Sequence, residues 1–234
     1  DAMSSKLIEE IGFKAIYARG AGISNAQLGC ADVGLTLLKE VVDIVARMTD
    51  VTNVPIVVDG DTGFGNAINV MRTVREFERA GAAAIQMEDQ VSPKKCGHFN
   101  GKEVISKEEM VGKIKAALDA RKDENLAIMA RTDALAVHGI EDALDRAFAY
   151  SEAGADIIFV EAPNTIEQLL QITSSLKGIP QVINLVEGGK TPLISLQEAE
   201  EIGFKIMLCA NTVLRSAIKG ITDSLKILKA EGSQ

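Results

Sequence analysis

The string VDGDTGFG, residues 58–65, sets Asp59 and Asp61 two positions apart, with glycine between and after them. At the end of a β-strand, side chains at i and i+2 point the same way. Glu88 closes the apolar run AAAIQME and Glu161 closes ADIIFVE, so two more carboxylates follow similar runs. Gathered at one place, such charges repel unless a cation joins them. Oxygen donors without histidine suit a hard cation, and Mg²⁺ that keeps several waters and shares an anionic substrate fits best. Asp59, Asp61 and Glu88 are therefore the expected metal residues, with Mn²⁺ as the substitute ion. The plainer role for Asp59 is to cap the turn that follows it.

KKCGHFNGK, residues 94–102, is the most distinctive string. Cys96 lies among Lys94, Lys95 and His98, and neighbouring cations favour a thiolate. Gly97 and Gly101 would let the segment hinge as a lid. A thiol that gives or takes a proton fits this setting as well as a nucleophile does. Cys209, and with less support Cys30, read as small buried apolar side chains. Arg131 in IMARTDA and Arg215 in NTVLRSA are clamps for carboxylates, since a guanidinium binds them bidentately; for Arg215 the competing role is a solvated helix residue. NLVEGGKTP, residues 184–192, offers Asn184 and a glycine pair to an anion, with Glu187 as a loop charge. His138 reads as a surface residue in a loop leading into a helix.

These residues need elements that bring them together. LIEEIGFKAIYARG, FERAGAAAIQMED, YSEAGADIIFVEA and AEEIGFKIMLCAN repeat one pattern: an amphipathic helix, a glycine near its end, then a short apolar run. Glycine suits the left-handed residue that ends a helix, and buried parallel strands read as continuous apolar runs. The spacing predicts strands at 14–18, 55–59, 83–88, 126–131, 156–161, 181–185 and 205–210. It predicts helices at about 3–12, 33–48, 67–80, 106–121, 140–153, 165–177, 195–202 and 212–229. A helix comes first, so the expected fold is an α/β (β/α)8 TIM-type barrel whose first strand is missing from this chain. The whole of 1–234 then forms a single barrel domain, cut short at both ends. A doubly wound open sheet shares the local pattern. The strand ends favour the barrel, because its C-terminal rim gathers active-site residues. None of the expected strands holds an internal lysine, so Schiff-base chemistry is not expected.

YARGAG, VDGDTGFG, MEDQ, KKCGH, ISKEEMV, ARTDALAV, FVEA and NLVEGGKTP, in this order, resemble the isocitrate lyase and phosphoenolpyruvate mutase superfamily over nearly the whole chain. KKCGH is similar to the carbon–carbon lyases, above all the 2-methylisocitrate lyase and 2,3-dimethylmalate lyase groups, and differs from the mutase. The resemblance implies that Asp59, Asp61 and Glu88 serve Mg²⁺, with Asp61 the most direct. It implies that the acid end of the substrate is held at Arg19, Gly20 and Ala21, with Asp32, Gly97 and Glu161 also at the substrate. Arg131 would offset charge on the reacting oxygens. Cys96, assisted by Lys94 and His98, would protonate a carbanion, and Asn184 and Arg215 would contact the distal carboxylate. The family commonly has Ser or Thr where this chain has Arg19. Oxaloacetate hydrolysis and mutase-type phosphonate chemistry are the alternatives within the superfamily. Outside it, the alternative is a non-catalytic metabolite-binding barrel.

Composition narrows the classes. The 234 residues carry 25 Lys and Arg against 33 Asp and Glu, a formal charge of −8. Without a basic run, nucleic acid and anionic membranes are poor partners. No apolar stretch reaches the roughly 18 residues of a membrane helix. Three scattered cysteines suggest a reducing cytoplasm, and two histidines leave little scope for a histidine-built zinc site. The expected partners are a small carboxylate substrate and copies of the chain itself, in a homotetramer built as a dimer of dimers.

Overall fold

The computed structural model describes residues 1–95 and 101–233. Seven parallel strands run in sequence order among them: β1 Ile16–Ala18, β2 Ile56–Asp59, β3 Ala84–Glu88, β4 Ala127–Thr132, β5 Ile157–Val160, β6 Val182–Val186 and β7 Ile206–Ala210. β1 to β5 form one sheet and β6 pairs with β7. A parallel bridge from Ile158 to Gln181 carries the order across from β5 to β6. The strand directions agree, so every C-terminal end faces one rim, as the barrel expectation requires. Among the described residues β7 is not paired with β1.

The helices alternate with the strands: α1 Ala2–Ile11, α2 Gly20–Leu28, α3 Leu38–Thr49, α4 Ala67–Arg79, α5 Lys107–Ala120, α6 Leu135–His138, α7 Ile140–Glu152, α8 Ile166–Ser175, α9 Leu196–Ile202 and α10 Thr212–Glu231. Local chemistry explains their starts. Asn66 accepts from the backbone N–H groups of Ile68 and Asn69 at the head of α4, and Val70, Val74 and Phe77 then bury one face. Ser106 caps α5 in the same way, and Met110, Ile114 and Ala117 line its inner stripe. The main core packs these stripes against Ile56, Val58, Ile85 and Ile128 of the strands.

Expectations are corrected at four places. Residues 20–28 form a helix where a loop was expected, and His138 ends a single helical turn, where its side chain is exposed. α3 begins at Leu38 and not near 33, because Glu40 turns back to accept the N–H of Leu37 at 2.8 Å. Cys209 is exposed and Cys30 only half-buried. An apolar run predicts burial only when something covers the strand, and β7 pairs with β6 alone among the described residues. No helix among the described residues is long and apolar enough to cross a membrane.

Candidate active site

The rim at the strand ends is crowded with buried charge. Asp59 ends β2, Glu88 ends β3, Arg131 and Thr132 end β4, and Asp133 follows directly. Glu161 follows β5, and Asn184 lies in β6. All of these are buried, as are Asp32, Asp61, Lys94 and Lys102.

Backbone geometry sets the acidic half. Asp61 stands at φ 48°, a left-handed conformation that costs a non-glycine residue about 1–2 kcal/mol. Tertiary bonds hold it there. Gly60 N–H donates to the Gln86 carbonyl at 2.8 Å, Glu88 N–H to the Asp61 carbonyl at 2.8 Å, and Lys113 Nζ to the Thr62 carbonyl at 3.1 Å. Asp59 is the buttress beneath. Its Oδ2 accepts from Gly20 N–H at 3.0 Å, and its Oδ1 accepts from Asp61 N–H and Gln86 Nε2 at 3.2 Å each. Tyr17 in turn donates to the Gln86 side-chain oxygen. Gly20 leaves room here, since a Cβ would crowd Asp59 Oδ2 at 3.0 Å and Asp61 Oδ1 at 3.3 Å. The expected backbone cradle at residues 19–21 is thus the start of α2, with Arg19 as its N-cap. Free N–H groups at a helix start suit an anion.

Two cations organise the carboxylates. Lys94 Nζ lies 2.7 Å from Asp32 Oδ2 and 2.8 Å from Asp61 Oδ1. Arg131 is shared three ways. Its Nη1 is 3.2 Å from both Glu88 Oε2 and Glu161 Oε2, while Nε and Nη2 grip Asp133 at 2.9 and 3.1 Å. The Phe159 ring lies 5.3 Å from its Cζ. Asn184 Nδ2 lies 3.4 Å from each Glu161 oxygen. Lys102 Nζ donates to Asp133 Oδ1 at 2.6 Å.

Burial decides the protonation of this cluster. It pushes Glu88 well above the usual carboxylate range, and Arg131 and Lys94 offset only part of that. Burial, then the charge of Asp59, push Asp61 up to about 7 against the pull of Lys94. For Asp59 burial also raises the pKa, but Lys94, Arg131 and the N–H groups of Gly20 and Asp61 outweigh it and hold the carboxyl low. Burial would lower Lys94, yet Asp59, Glu88, Asp61 and Asp32 overcome it, so Lys94 stays an ammonium and is no base.

Several buried polar atoms here have no hydrogen-bond partner among the described residues: Arg19 Nη1, Asp32 Oδ1, Glu88 Oε1, Asn184 Oδ1, Thr191 Oγ1 and Asn211 Oδ1. Each lies at or beyond a strand's C-terminal end or, for Asn184, within β6. An unpaired buried polar group costs about 1–3 kcal/mol; Gln181 Oε1, before β6, is another such atom, but the others lie toward the strands' C-terminal ends, where a ligand would complete them. The described residues hold no group of three or more His, Cys, Asp and Glu arranged to bind a metal by themselves. A cavity of about 730 Å³ opens at the other, N-terminal end of β6 and β7, beside Lys177, Gln181 and Lys205, away from the charged rim.

The structure therefore brings Asp32, Asp59, Asp61, Glu88, Lys94, Arg131, Glu161, Asn184 and the 19–21 backbone to one rim. Arg215, in the first turn of α10 after β7, is half exposed and donates to the carbonyl of Glu187, the residue after β6, at 3.0 Å, with the Glu187 carboxylate at 3.3 Å. Cys96, Gly97 and His98 lie outside the described residues. Lys102, Asp133, Asp89 and Thr191 had no assigned role. Asp133 stood in plain view at a strand end, but its partner Lys102 lies 31 positions away.

Comparison with known proteins finds relatives over nearly the whole chain. The family model for phosphoenolpyruvate phosphomutase matches residues 1–229. A 2,3-dimethylmalate lyase of Eubacterium barkeri is 50% identical over 229 residues, 98% of this chain and 79% of that protein. A 2-methylisocitrate lyase of Aeropyrum pernix is 49% identical over 228 residues, 97% of this chain and 73% of that protein. A crystal structure of 2,3-dimethylmalate lyase superposes with a TM-score of 0.96 at 36% identity, covering 99% of this chain and 78% of that one.

Proposed function

The chain belongs to the phosphoenolpyruvate mutase and isocitrate lyase superfamily, and from that membership we propose a Mg²⁺-dependent carbon–carbon lyase. Its substrate is a branched 2-hydroxy di- or tricarboxylate of the 2-methylisocitrate or 2,3-dimethylmalate type, cleaved to pyruvate or a related 2-oxo acid and a second carboxylate. One observation carries this above the others: Arg131, buried and held by Glu88, Glu161 and Asp133, beside the Lys94–Asp61 pair at the strand ends.

The residues fit a magnesium ion. Every donor is oxygen, Glu88 Oε1 and Asp32 Oδ1 have no described partner, and the Lys94 ammonium already stands among the acids as a cation. Mg²⁺ takes one or two carboxylates and keeps its waters, so it needs no closed cage of three. Asp61 and Glu88 would hold it, and Asp59, which accepts from Gly20, Asp61 and Gln86, would set Asp61. When bound, the ion would neutralise charge on the substrate's oxygens and orient them.

The chain's own groups do the rest. The start of α2 receives the acid end of the substrate. A carboxylate of the cluster takes the hydroxyl proton, the C2–C3 bond breaks, and its electron pair passes to the carboxylate-stabilised carbanion. Arg131 Nη1 faces the charge that grows there. Cys96 gives the carbanion a proton, which the cluster's carboxylate later returns to the sulfur. Lys94, two positions before Cys96 in the sequence, carries a standing positive charge of the kind that favours a thiolate. The enzyme is read as a cytoplasmic homotetramer. Exposed Ile218, Ile221, Leu225 and Leu228 form one stripe of α10 that suits subunit contact.

The test is a panel of 2-methylisocitrate, 2,3-dimethylmalate, oxaloacetate and phosphoenolpyruvate with Mg²⁺, following pyruvate and oxalate. Pyruvate is expected from one of the two hydroxy acids, and none from either rejects the lyase. Cys96→Ser is expected to lose about 100- to 10,000-fold in turnover while pyruvate still binds by calorimetry. Near-native turnover would remove Cys96 from the mechanism.

Asp61 also predicts a pH dependence. Its carboxyl, raised to about 7, must lose its proton to meet a cation. Mg²⁺ affinity should therefore rise with pH through about 7, and any rise beyond that belongs to Glu88, whose carboxyl burial also raises. At pH 6, calorimetry in two buffers of different ionisation enthalpy should show at least close to one proton released per ion, the first from Asp61 and any second from Glu88. The sign for stability follows. The metal-free fold holds a proton that the unfolded chain has lost, so Asp61 destabilises it increasingly between about pH 4 and 7. Saturating Mg²⁺ binds the ionised carboxylate and should flatten that slope. A flat affinity from pH 5.5 to 8 would contradict this.

A further inference from the structure

The Arg131 guanidinium has two edges, and the proposed chemistry uses only one. Nη1 faces Glu88 and Glu161, while Nε and Nη2 are occupied by Asp133. Asp133 is itself held on three sides. Its backbone N–H donates to Asp89 Oδ1 at 2.9 Å, its Oδ1 accepts Lys102 Nζ at 2.6 Å, and both oxygens receive Arg131. The Lys102 and Asp133 side chains are 2% and 0% exposed, so this pair is screened very little by water.

Asp89 fixes the floor. Its Oδ2 accepts from Thr132 Oγ1 at 2.7 Å, Tyr150 OH at 2.8 Å and Arg146 Nη1 at 3.2 Å. The chain around Lys102 is fixed too. Val91 N–H donates to the Glu103 carbonyl and Ile105 N–H to the Asp89 carbonyl, each at 2.9 Å, and Arg146 Nη1 donates to the Ile105 carbonyl at 2.8 Å. Lys102 thus comes from a short antiparallel stem, and Asp133 from the end of β4. Two independently anchored segments meet on one carboxylate.

We propose that Lys102 and Asp133 are positioning residues for Arg131: the ammonium pins Asp133, and Asp133 turns the guanidinium so that Nη1 meets the reacting charge. Without Lys102, the carboxylate keeps Arg131 as a partner but loses the contact that sets its rotation. The fork then rocks between Asp133 and the Glu88–Glu161 pair. Transition-state contacts suffer more than substrate binding, because the α2 start and the Lys94–Asp61 pair are untouched. This rests on the lyase reading of the same site.

Lys102→Met in the full chain with Mg²⁺ is expected to lower kcat about 10- to 100-fold, the usual penalty for removing a group that orients an active residue. KM should stay within about 3-fold, since ground-state binding is kept. Lys102→Arg should restore kcat to within about 3-fold of wild type. In an Arg131→Lys background, Lys102→Met should cost less than about 2-fold more, because residues acting as a unit are not additive. A merely structural lysine would cost the same in both backgrounds, and that result overturns the proposal, as does near-native kcat in Lys102→Met. Should Lys102→Met fail to fold by circular dichroism, Lys102→Gln carries the same comparison. Nitrogen NMR separates this test from the function. Wild type should show a slowly exchanging Nε–H signal that Arg131→Lys removes and that Lys102→Met shifts or broadens. If no acid in the panel is cleaved, the lyase reading falls while this signal still decides the positioning. An unchanged Arg131 signal in Lys102→Met rejects it.

Discussion

Asp61→Asn is expected to abolish magnesium-induced thermal stabilisation and to lower turnover on the order of 1,000-fold, the equivalent of several kcal/mol of charge stabilisation. Asparagine is close in shape and tolerates left-handed backbone, so the turn at φ 48° survives the change. What is lost is a negative charge. Lys94 keeps Asp32 at 2.7 Å and gives up its 2.8 Å contact to Asp61. Above pH 7 the metal-free variant should be no less stable than wild type, since it lacks a buried carboxyl that resists ionisation. A scan of melting temperature against Mg²⁺ separates these effects. A wild-type magnesium response in the variant would move the metal residues elsewhere on the rim.

The strands were legible nearly to the residue, and the reason is physical. A parallel strand covered on both faces is apolar along its run, as in β5, where IIFV carries no polar side chain and Ile158, Phe159 and Val160 are buried. The carboxylate or arginine that ends such a run stands out against it, so Asp59, Glu88, Arg131 and Glu161 were readable too. α2 was not. Its sequence GAGISNAQL has little amphipathic pattern and two glycines, and its start is tied down by Asp59, 39 positions away. Tertiary contact overrode weak propensity there. Cys209 shows the reverse failure, an apolar run whose cover is not encoded in the run itself. Arg215 was visible as a candidate clamp, while its contact with Glu187, 28 positions away, was not. Lys102 lay inside the string most suspected of chemistry, yet a buried pair with Asp133 is a fact of three dimensions. Residue types at strand ends are visible in one dimension; which charge answers which is not.

Arg131→Lys tests the other half of the site, with turnover expected to fall about 100- to 1,000-fold and the magnesium response kept. Lysine retains the charge but not the planar fork, which here satisfies three carboxylates at once. An ammonium can meet Asp133 or the Glu88–Glu161 pair, not both in the present geometry. If it stays with Asp133, two acids face each other across the space that Nη1 fills, and the transition state gains no donor. If it moves toward Glu88 and Glu161, Asp133 is left with Lys102 alone. Arg131→Met is the harsher comparison. Stripping the cation from buried acids costs about 3–5 kcal/mol of stability, so that variant should melt lower, most of all at high pH, where more of the acids are ionised. The measurement is kcat at saturating Mg²⁺ and substrate, paired with melting curves. Turnover of Arg131→Lys within about tenfold of wild type would mean that positive charge alone is enough at this position, and the bidentate grip of Asp133 would then have no catalytic purpose.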